Sequence, residues 1–348
     1  MNFKIKTYII RYKTICFMSL VCFGIFKNTN AQDIHFSNWN MSPLNLNPAN
    51  AGMFDGDGRL ILNYRNQWKS VQVPYNTFSF GADFNLQKSY IEKTDEAIGI
   101  IFNHDASGDG HYKINEVKIP INHKITFKKD SGLVISIGVL AGISNISLDV
   151  NKLSFDKQWD GDAYNAGLSN GELFPKQSKT YADFGLGTVI QKKLTQNFTA
   201  TIGYAINHIN KPSISFYNTS NIVLRTKHSE SLLLKYSFSN ISNIQFEYYA
   251  NQQQKFRENL VGLSYYYTIE PKTNTVFNIG ILSRLGDAFI TTVGLQHNSI
   301  RLQASYDYNY SQFKRATNGR GGFEISFIYI YAKPKLFVPK TRVCPIYM

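Results

Sequence analysis

Apolar and polar residues alternate with a period of two along most of this chain. The clearest run is 300–310, where Ile, Leu, Ala and Tyr alternate with Arg, Gln, Ser, Asp and Asn. Similar alternation occurs over 78–85, 198–207, 244–249 and 323–331. Side chains of a β-strand point alternately to two faces, so the pattern predicts strands with one apolar and one polar face. Runs of about ten residues can cross a bilayer at a tilt.

The alternation predicts fourteen strands, an even number, as in bacterial outer-membrane barrels. Their connections are of two kinds: 194–196 and residue 298 are tight, whereas 149–178 and 209–222 are long. We therefore predict an all-β fold, a transmembrane antiparallel β-barrel of about 14 strands, within a range of about 12–16. The predicted strands are 58–68, 75–87, 97–105, 113–127, 132–148, 179–192, 196–209, 222–237, 241–252, 256–268, 275–285, 287–297, 299–310 and 321–332.

The composition agrees with a barrel in a membrane. Aromatic residues make up 14% of the 348 residues and charged residues only 18%, whereas roughly 25% charged residues is usual in soluble domains. The aromatic content excludes an intrinsically disordered chain. Repeated apolar runs of about 20 residues are missing, which excludes a helical membrane bundle. Tyrosines near predicted strand ends, such as Tyr64 and Tyr308, indicate interfacial girdles, although ordinary sheet core is the alternative for any one of them.

Residues 1–31 have the pattern of a secretory signal peptide. Four basic residues lie between positions 4 and 13, an apolar stretch follows at 15–26, and small residues lead to a cleavage site near Ala31. This order of basic, apolar and small residues is read by the Sec-type export route. We expect export, cleavage near Ala31 and a location in the cell outer membrane. The alternatives are a retained anchor and lipidation at Cys22.

Removal of residues 1–31 changes both the net charge and the number of cysteines from which the function can be inferred. The net charge falls from +13 to +8, because five basic residues and no acidic ones are removed, leaving 32 basic and 24 acidic residues. No basic run is interleaved with aromatic residues, so we expect no nucleic-acid partner. Cys344 is the one cysteine left, which excludes an internal disulfide or a cysteine zinc site. We expect no cofactor and no metal.

The segment 32–57 differs from the strands that follow. It contains Pro43 and Pro48, which preclude an ordinary strand, and its apolar residues do not alternate with polar ones. We predict that this segment plugs or caps the lumen. The predicted organisation is then a cleaved signal peptide (1–31), a plug (32–57), a barrel (58–332) and a basic tail (333–348).

Two motifs near the N-terminus resemble the PorP/SprF family. The first is Asn47-Pro48-Ala49-Asn50-Ala51-Gly52, in the segment that also contains Pro43, and the second is Tyr64-Arg65-Asn66-Gln67-Trp68 on the first predicted strand. Members of this family are outer-membrane proteins of the type IX secretion and gliding-motility machinery of Bacteroidota. The resemblance extends over the mature chain, but it departs at Asn50, where an aromatic residue is more usual, and in the tail.

The resemblance implies a function that the strand pattern alone does not. It implies a non-enzymatic outer-membrane barrel that assists secretion or surface attachment of large cargo proteins such as adhesins. The implied partners are outer-membrane lipid, secreted cargo, and components of the type IX and gliding machinery. The alternative is an outer-membrane channel or transporter for a small solute. A lumen filled by 32–57 favours the first function, and a continuous water path favours the second.

Two polar clusters have alternative interpretations. The first surrounds a Ser-Gly-Asp-Gly turn and is either a metal site or a polar connection between strands. The second lies in the longest connection and has part of the spacing of a calcium loop, but not the complete pattern. We favour polar loops for both. The residues concerned are His104, Asp105, Asp109 and His111 in the first cluster, and Asp156, Asp160 and Asp162 in the second.

Lumen-facing charges are expected on the polar faces of the strands, because a charge facing lipid costs about 2–4 kcal/mol at mid-membrane. Arg65 and Asp83 fall on the polar faces of neighbouring predicted strands. We predict that they form an inward charge pair that holds the plug, and contact with a substrate is the alternative. His208, Asn210 and Ser213 are close in sequence, as a barrel hydrolase would require, but no pattern orients them for nucleophilic catalysis.

Overall fold

In the computed structural model, the described residues form fourteen strands that close into one antiparallel barrel. The strands are β1 Gly58–Gln67, β2 Tyr75–Asn85, β3 Thr94–Ser107, β4 Tyr112–Thr126, β5 Leu133–Ser147, β6 Ser178–Lys193, β7 Phe198–Asn207, β8 Lys227–Ser237, β9 Ser242–Gln253, β10 Phe256–Glu270, β11 Thr275–Arg284, β12 Ala288–His297, β13 Ile300–Asn309 and β14 Arg320–Tyr331. The structure describes residues 33–67, 74–86, 94–108, 110–127, 132–172, 174–217, 222–312 and 314–333.

The barrel follows the order of the sequence. Each strand pairs with its neighbours along the chain, and β1 pairs with β14, so that Gly58 lies opposite Tyr331. The prediction of a barrel of about 14 strands is confirmed. The largest boundary difference is in β8, which begins at Lys227 rather than at residue 222, because Val223 instead bridges Ser213 within the preceding connection. The predicted signal peptide and residues 334–348 lie outside the described residues.

Alternate residues of each strand face the lumen and the exterior. On β5, Ser136 and Ser144 are fully buried on the lumen side, whereas the intervening Ile137 and Ile143 are 53% and 62% exposed. Large exposed apolar side chains of this kind occur on the strands around the barrel, and burying them in lipid removes apolar surface from water. Exposed tyrosines lie near both ends of the strands: Tyr64, Tyr75, Tyr306, Tyr308, Tyr310, Tyr329 and Tyr331.

The two ends of the barrel differ in their connections. At one end, here called the turn end, the strands are joined by short segments such as 194–197, 271–274 and 298–299. At the other, here called the loop end, the connections include 148–177 and 208–226. Outer-membrane barrels have short periplasmic turns and longer extracellular loops, so the turn end is assigned to the periplasm and the loop end to the cell exterior.

Residues 33–57, here called the plug, lie inside the lumen. They form two three-residue 3₁₀ helices, η1 (Trp39–Met41) and η2 (Pro48–Asn50), and one helical turn, α1 (Pro43–Leu46). Pro43 and Pro48 occupy first helical positions, where the missing N–H costs nothing. Apolar plug residues pack in two clusters on the wall: Met41, Leu44 and Ala51 against Ile61, Ile101, Leu140 and Ile328, and Trp39 and Leu46 against Tyr249, Leu260, Leu282 and Ile290.

The remaining helices are short and lie in the connections. They are η3 (Val150–Lys152), η4 (Asp156–Gln158) and α2 (Lys314–Thr317). Among the residues that the structure describes, no helix has both the length and the apolar character needed to cross a bilayer.

Candidate functional site

The plug crosses the lumen lengthwise, from the loop end to the turn end. Asp33, its first described residue, contacts His208, which directly follows β7 at the loop end. Gly52 donates its N–H to Asp83 of β2, at 2.8 Å, near the turn end. The chain therefore enters the described lumen at the loop mouth and leaves it at the opposite end, where β1 begins.

A buried histidine bridges two carboxylates at the loop end. His208 Nε2 lies 2.6 Å from Asp33 Oδ2, and His208 Nδ1 lies 2.8 Å from Asp183 Oδ1 on β6. Lys227 Nζ lies 3.7 Å from Asp33 Oδ2, and Lys118 Nζ lies 3.5 Å from Asp183 Oδ2. The cluster joins the start of the plug to strands β4, β6 and β8.

The charges of this cluster set the protonation of the plug's first residue. Burial lowers the pKa of His208, but the Asp33 charge and the Asp183 hydrogen bond outweigh burial and raise this pKa to about 9. Burial raises the pKa of Asp33, but the charges of His208 and Lys227 outweigh burial and hold this pKa well below its usual range. At neutral pH the contact is therefore an ion pair between a carboxylate and an imidazolium.

Ser37 is held by a second charged cluster on the opposite wall. Its backbone N–H donates to Glu324 Oε2 at 2.9 Å, and its hydroxyl donates to Asp307 Oδ2 at 2.7 Å. Arg65 and Arg284 each place a guanidinium nitrogen 3.1 Å from the same Asp307 oxygen. All four wall side chains are buried. A buried charge is tolerated only when it is paired. Here the paired charges of the wall surround Ser37 of the plug.

Arginines of the wall also satisfy the plug's backbone carbonyls. Arg65 Nη1 donates to the carbonyl of His35 at 2.8 Å, and Arg59 Nη2 donates to the carbonyl of Asn50 at 3.0 Å. A segment with so little regular secondary structure leaves backbone groups without internal partners, and buried backbone groups need them. The wall therefore supplies hydrogen bonds that a longer helix or strand would make for itself.

The centre of the lumen combines ring stacking with a buried carboxyl group. Trp39 stacks on Tyr249 of β9, with ring centroids 5.6 Å apart and planes inclined by 23°. Next to it, Asn40 Nδ2 donates to Glu247 Oε2 at 2.9 Å, and Ser264 donates to the other Glu247 oxygen at 2.7 Å. The β9–β10 side of the wall thus contacts η1 through both apolar and polar groups.

The Asn-Pro-Ala motif is a backbone clamp. Asn47 Oδ1 accepts from the N–H of Ala49 at 2.9 Å and so caps η2, which begins at Pro48. Asn47 Nδ2 donates to the backbone carbonyls of Thr188 and Tyr204, at 3.0 and 3.2 Å. The side chain of Asn47 therefore both caps the start of η2 and ties it to β6 and β7.

Two wall glycines allow this clamp to approach closely. A Cβ atom at Gly138 of β5 would overlap the backbone of Pro48 and Ala49, and one at Gly187 of β6 would overlap the side chain of Asn47. Glycine is the residue that permits such contact between a strand and another backbone. The plug motif and these glycines form one complementary surface.

Gly52 turns the chain at the other end of the lumen. Its φ of +72° lies in the left-handed region, which favours glycine. Its N–H donates to Asp83 Oδ2, and the same carboxylate pairs with Arg59 at 2.8 Å. Asn122 Nδ2 donates to the carbonyl of Ala51 at 2.6 Å. The turn is thus bonded to β1, β2 and β4.

Pro43 and Asn50 are joined across α1 and η2. Asn50 Nδ2 donates to the carbonyl of Pro43 at 2.9 Å. In the PorP/SprF pattern an aromatic residue is more usual at position 50. In this chain the Asn50 side chain instead forms a hydrogen bond within the plug.

Sequence comparison decides the family of this chain. The family model described as "Type IX secretion system membrane protein PorP/SprF" matches residues 28–329. The chain belongs to the PorP/SprF family. It is therefore a membrane protein of the type IX secretion system, and its closed barrel with short turns and long loops places it in the outer membrane. No functionally curated protein matches the chain in sequence.

Solved structures share the barrel but little sequence. The toluene transporter TbuX of Ralstonia pickettii is 10% identical, with a TM-score of 0.51, over 83% of this chain and 93% of that chain. The toluene transporter TodX of Pseudomonas putida is 10% identical, with a TM-score of 0.47, over 85% of this chain and 93% of that chain. At such identities the likeness to TbuX shows a common fold and nothing further.

The Tyr-Arg-Asn-Gln segment of this PorP/SprF chain contributes to both faces of β1. Tyr64 is exposed on the exterior face, and Arg65 is buried in the lumen. Asn66 Nδ2 donates to Asn76 on the neighbouring strand at 2.5 Å, and Gln67 ends the strand. Trp68 lies outside the described residues. Within this motif, Arg65 is the residue that contacts the plug.

The predicted pairing of Arg65 with Asp83 is wrong. Both side chains face the lumen and both contact the plug, but Asp83 lies opposite Arg59 in the register of β1 and β2. Arg65 instead pairs with Asp307. Closure of β14 onto β1 brings β13 near Arg65, and this proximity is not encoded in neighbouring sequence.

Sequence reasoning missed most of the charged residues that hold the plug. These are Arg59, Lys118, Asp183, Lys227, Glu258, Arg284, Asp307 and Glu324. A usable signal was present, since each is a charge at a lumen-facing position of a predicted strand. His208 was noted only as part of a hydrolase alternative, and the structure places it between Asp33 and Asp183.

Three of the candidate metal residues, His104, Asp105 and Asp160, have hydrogen-bond partners within the protein. His104 Nδ1 lies 2.7 Å from Asn115 Oδ1, and Asp105 accepts from the hydroxyl of Thr77. Asp160 accepts from two backbone N–H groups of its own turn. Asp109 lies outside the described residues. Within the described part of the chain, no three His, Cys, Asp or Glu side chains are grouped for a metal ion.

Proposed function

We propose that this PorP/SprF protein is a non-enzymatic, plugged barrel that assists secretion or surface attachment of large type IX cargo proteins such as adhesins, in support of gliding motility. The observation that supports the proposal is the plug, which is bonded to the wall from Asp33 at the loop end to Gly52 near the turn end. A barrel whose lumen is occupied in this way acts through its loops and turns, by binding proteins, rather than by conducting solutes.

The secretion role is tested in cells by deleting the gene and restoring it in trans. Type IX cargo is then quantified by mass spectrometry of intact-cell surface digests and of culture medium. We expect at least one large cargo protein to leave the surface fraction in the deletion strain and to return on complementation. Unchanged surface display of every type IX cargo protein would contradict the proposal.

The second candidate is a channel or transporter for a small solute. The barrel architecture that this chain shares with the toluene transporter TbuX is the observation behind it. Planar-bilayer recordings separate the two candidates, using the mature protein and a variant that lacks residues 32–57. We expect a closed wild-type barrel and a conducting deletion variant. Robust conductance of the wild-type protein would favour the channel.

Export by the Sec-type route, with cleavage near Ala31, is part of the proposal. It is supported by the order of basic, apolar and small residues over 1–31. Mass spectrometry of the N-terminal peptide from purified outer membranes tests it. A mature chain beginning at residue 32 is expected, whereas a retained segment 1–31 or a lipid on Cys22 would contradict it.

A further inference from the structure

The connection between β13 and β14 carries a concentrated positive charge at the loop end. Lys314, Arg315 and Arg320 lie within seven positions of one another, and no acidic residue occurs between Asp307 and Glu324. All three basic side chains are exposed. This connection therefore carries a local excess of positive charge on the exterior of the barrel.

The connection borders an open, concave surface with a volume of about 560 Å³. Backbone hydrogen bonds hold its shape: Lys314 donates to Ser311 at 2.9 Å, and Gly319 donates to Lys314 at 3.2 Å. Lys314 and Arg315 are the two cations at this surface. The lining residues are Tyr310, Ser311, Gln312, Lys314, Arg315 and Asn318.

The concave surface lies at the edge of the lipid-facing band. Tyr308 and Phe289 are half exposed on the exterior face, at the loop ends of β13 and β12. Lys314 Nζ lies 5.7 Å from the centroid of the Tyr308 ring, and the rings of Phe289 and Tyr310 lie 4.7 Å apart. Aromatic side chains of this kind mark the headgroup level of a barrel. The two cations are therefore placed at the depth of the lipid headgroups.

A carboxylate on the adjacent connection, Asp287, is engaged by other groups. Asp287 accepts from Arg284 Nη1 and from the hydroxyl of Ser311, both at 3.1 Å. Its charge is therefore engaged by the lumen wall and by the base of the connection. Within the described part of the chain, Lys314 and Arg315 form no salt bridge, so both can act on a ligand from outside the chain.

We propose that Lys314 and Arg315 form a binding site for the phosphate of an anionic lipid headgroup in the outer leaflet. A guanidinium can donate two hydrogen bonds to a phosphate, and a lysine adds a point charge. The acyl chains of such a lipid would lie along the exposed aromatic and aliphatic side chains of β12 and β13. The aromatic band below the site is what favours a lipid over free phosphate. The assignment is independent of the proposed role in secretion.

The test measures lipid binding to the full-length mature protein in detergent, by native mass spectrometry. The probes are phosphorylated lipid A, chemically dephosphorylated lipid A and inorganic phosphate. We expect the double variant Lys314→Gln/Arg315→Gln to bind phosphorylated lipid A about 30-fold more weakly than wild type, given the usual contribution of each basic residue at an anionic surface. The matched control is Lys152→Gln/Lys157→Gln, which removes two exposed lysines from another loop-end connection; its binding should equal that of wild type.

Three results would overturn the assignment. They are equal binding by the double variant, equal binding of phosphorylated and dephosphorylated lipid A by the wild-type protein, and displacement of lipid A by equimolar inorganic phosphate. The second comparison uses only wild-type protein, so it decides the question even if the double variant does not fold. Folding of each variant is checked by its heat-dependent shift in electrophoretic mobility.

Discussion

Asp33 and His208 are 175 positions apart in the sequence, yet the Asp33 carboxylate lies 2.6 Å from Nε2 of His208. The contact fixes the beginning of the plug at the loop mouth of the barrel. His208 also reaches Asp183 through its other ring nitrogen, at 2.8 Å. The start of the plug is therefore coupled to the charge of a single imidazole.

This coupling predicts a loss of stability at alkaline pH. The pKa of His208 is raised from 6.5 to about 9, so its contribution is fully present below about pH 6.5 and is lost as pH rises through about 9. The contribution is at most about 3 kcal/mol, from the size of the shift. We expect the thermal unfolding midpoint of the mature protein in detergent to fall between pH 7 and 10. The fall should be clearly smaller in His208→Asn.

His111→Asn is the matched control for that measurement. His111 and His208 both have a positive φ, 46° and 57°, which asparagine tolerates, but His111 is exposed. Its variant should keep the pH profile of the wild type. Identical profiles for His208→Asn and the wild type would show that the imidazole charge does not hold the plug.

Asp83→Asn should destabilise the barrel and its plug strongly. The change leaves the buried guanidinium of Arg59 without its counter-charge, at a cost of about 3–5 kcal/mol. Urea unfolding midpoints followed by intrinsic fluorescence give the measurement. Asp55→Asn, which alters an exposed plug carboxylate, should change stability by less than about 0.5 kcal/mol. Equal changes in the unfolding midpoint of the two variants would show that the Arg59–Asp83 pair does not stabilise the turn end.

Gly138→Ala should loosen the plug without unfolding the barrel. The added methyl group would overlap the backbone of Pro48 and Ala49, which cannot move aside without leaving the clamp. We expect faster hydrogen–deuterium exchange in peptides covering 47–53 and unchanged exchange in β9–β12. Gly167→Ala, in an exposed connection where the added methyl group would meet only the side chain of Asn165, is the control. Unchanged exchange in the plug of Gly138→Ala would contradict the close fit.

Trp39→Ala should weaken the seal of the lumen. Trp39 is 4% exposed and stacks on Tyr249, so its removal leaves a large gap at the centre and costs about 3–5 kcal/mol of packing energy. We expect single-channel openings in planar bilayers, which the wild-type protein should lack. Trp159→Ala removes a tryptophan that is 59% exposed in the 148–177 connection and should remain closed. If neither variant shows single-channel openings, η1 is not the element that closes the lumen.

Strands were predictable because their signal is local. The alternation over 300–310 corresponds to β13, Ile300–Asn309, and each of the other predicted strands overlaps an observed one. Lipid on one side and a polar lumen on the other impose period two on every strand, so the pattern does not depend on distant residues. The segment around Pro43 and Pro48 was predictable as separate from the strands for the opposite reason, since it breaks that pattern.

Partners inside the lumen were not predictable. Arg65 and Asp307 are 242 positions apart and meet because β14 closes onto β1. Arg59 and Asp83 meet because of the β1–β2 register, which sets Asp83 opposite residue 59 rather than 65. Period two tells which side chains point inward, but a shift of register changes which of them face one another.

The sequence by itself determined the strands, the faces that contact lipid, the family and a separate N-terminal segment, because each is expressed over a few neighbouring residues. The tertiary structure alone decided that this segment crosses the lumen from His208 at the loop end to Asp83 near the turn end. The reason is that barrel closure, register and the pairing of buried charges are set together. A buried charge is stable only beside its counter-charge, and its place is known only once the wall is closed.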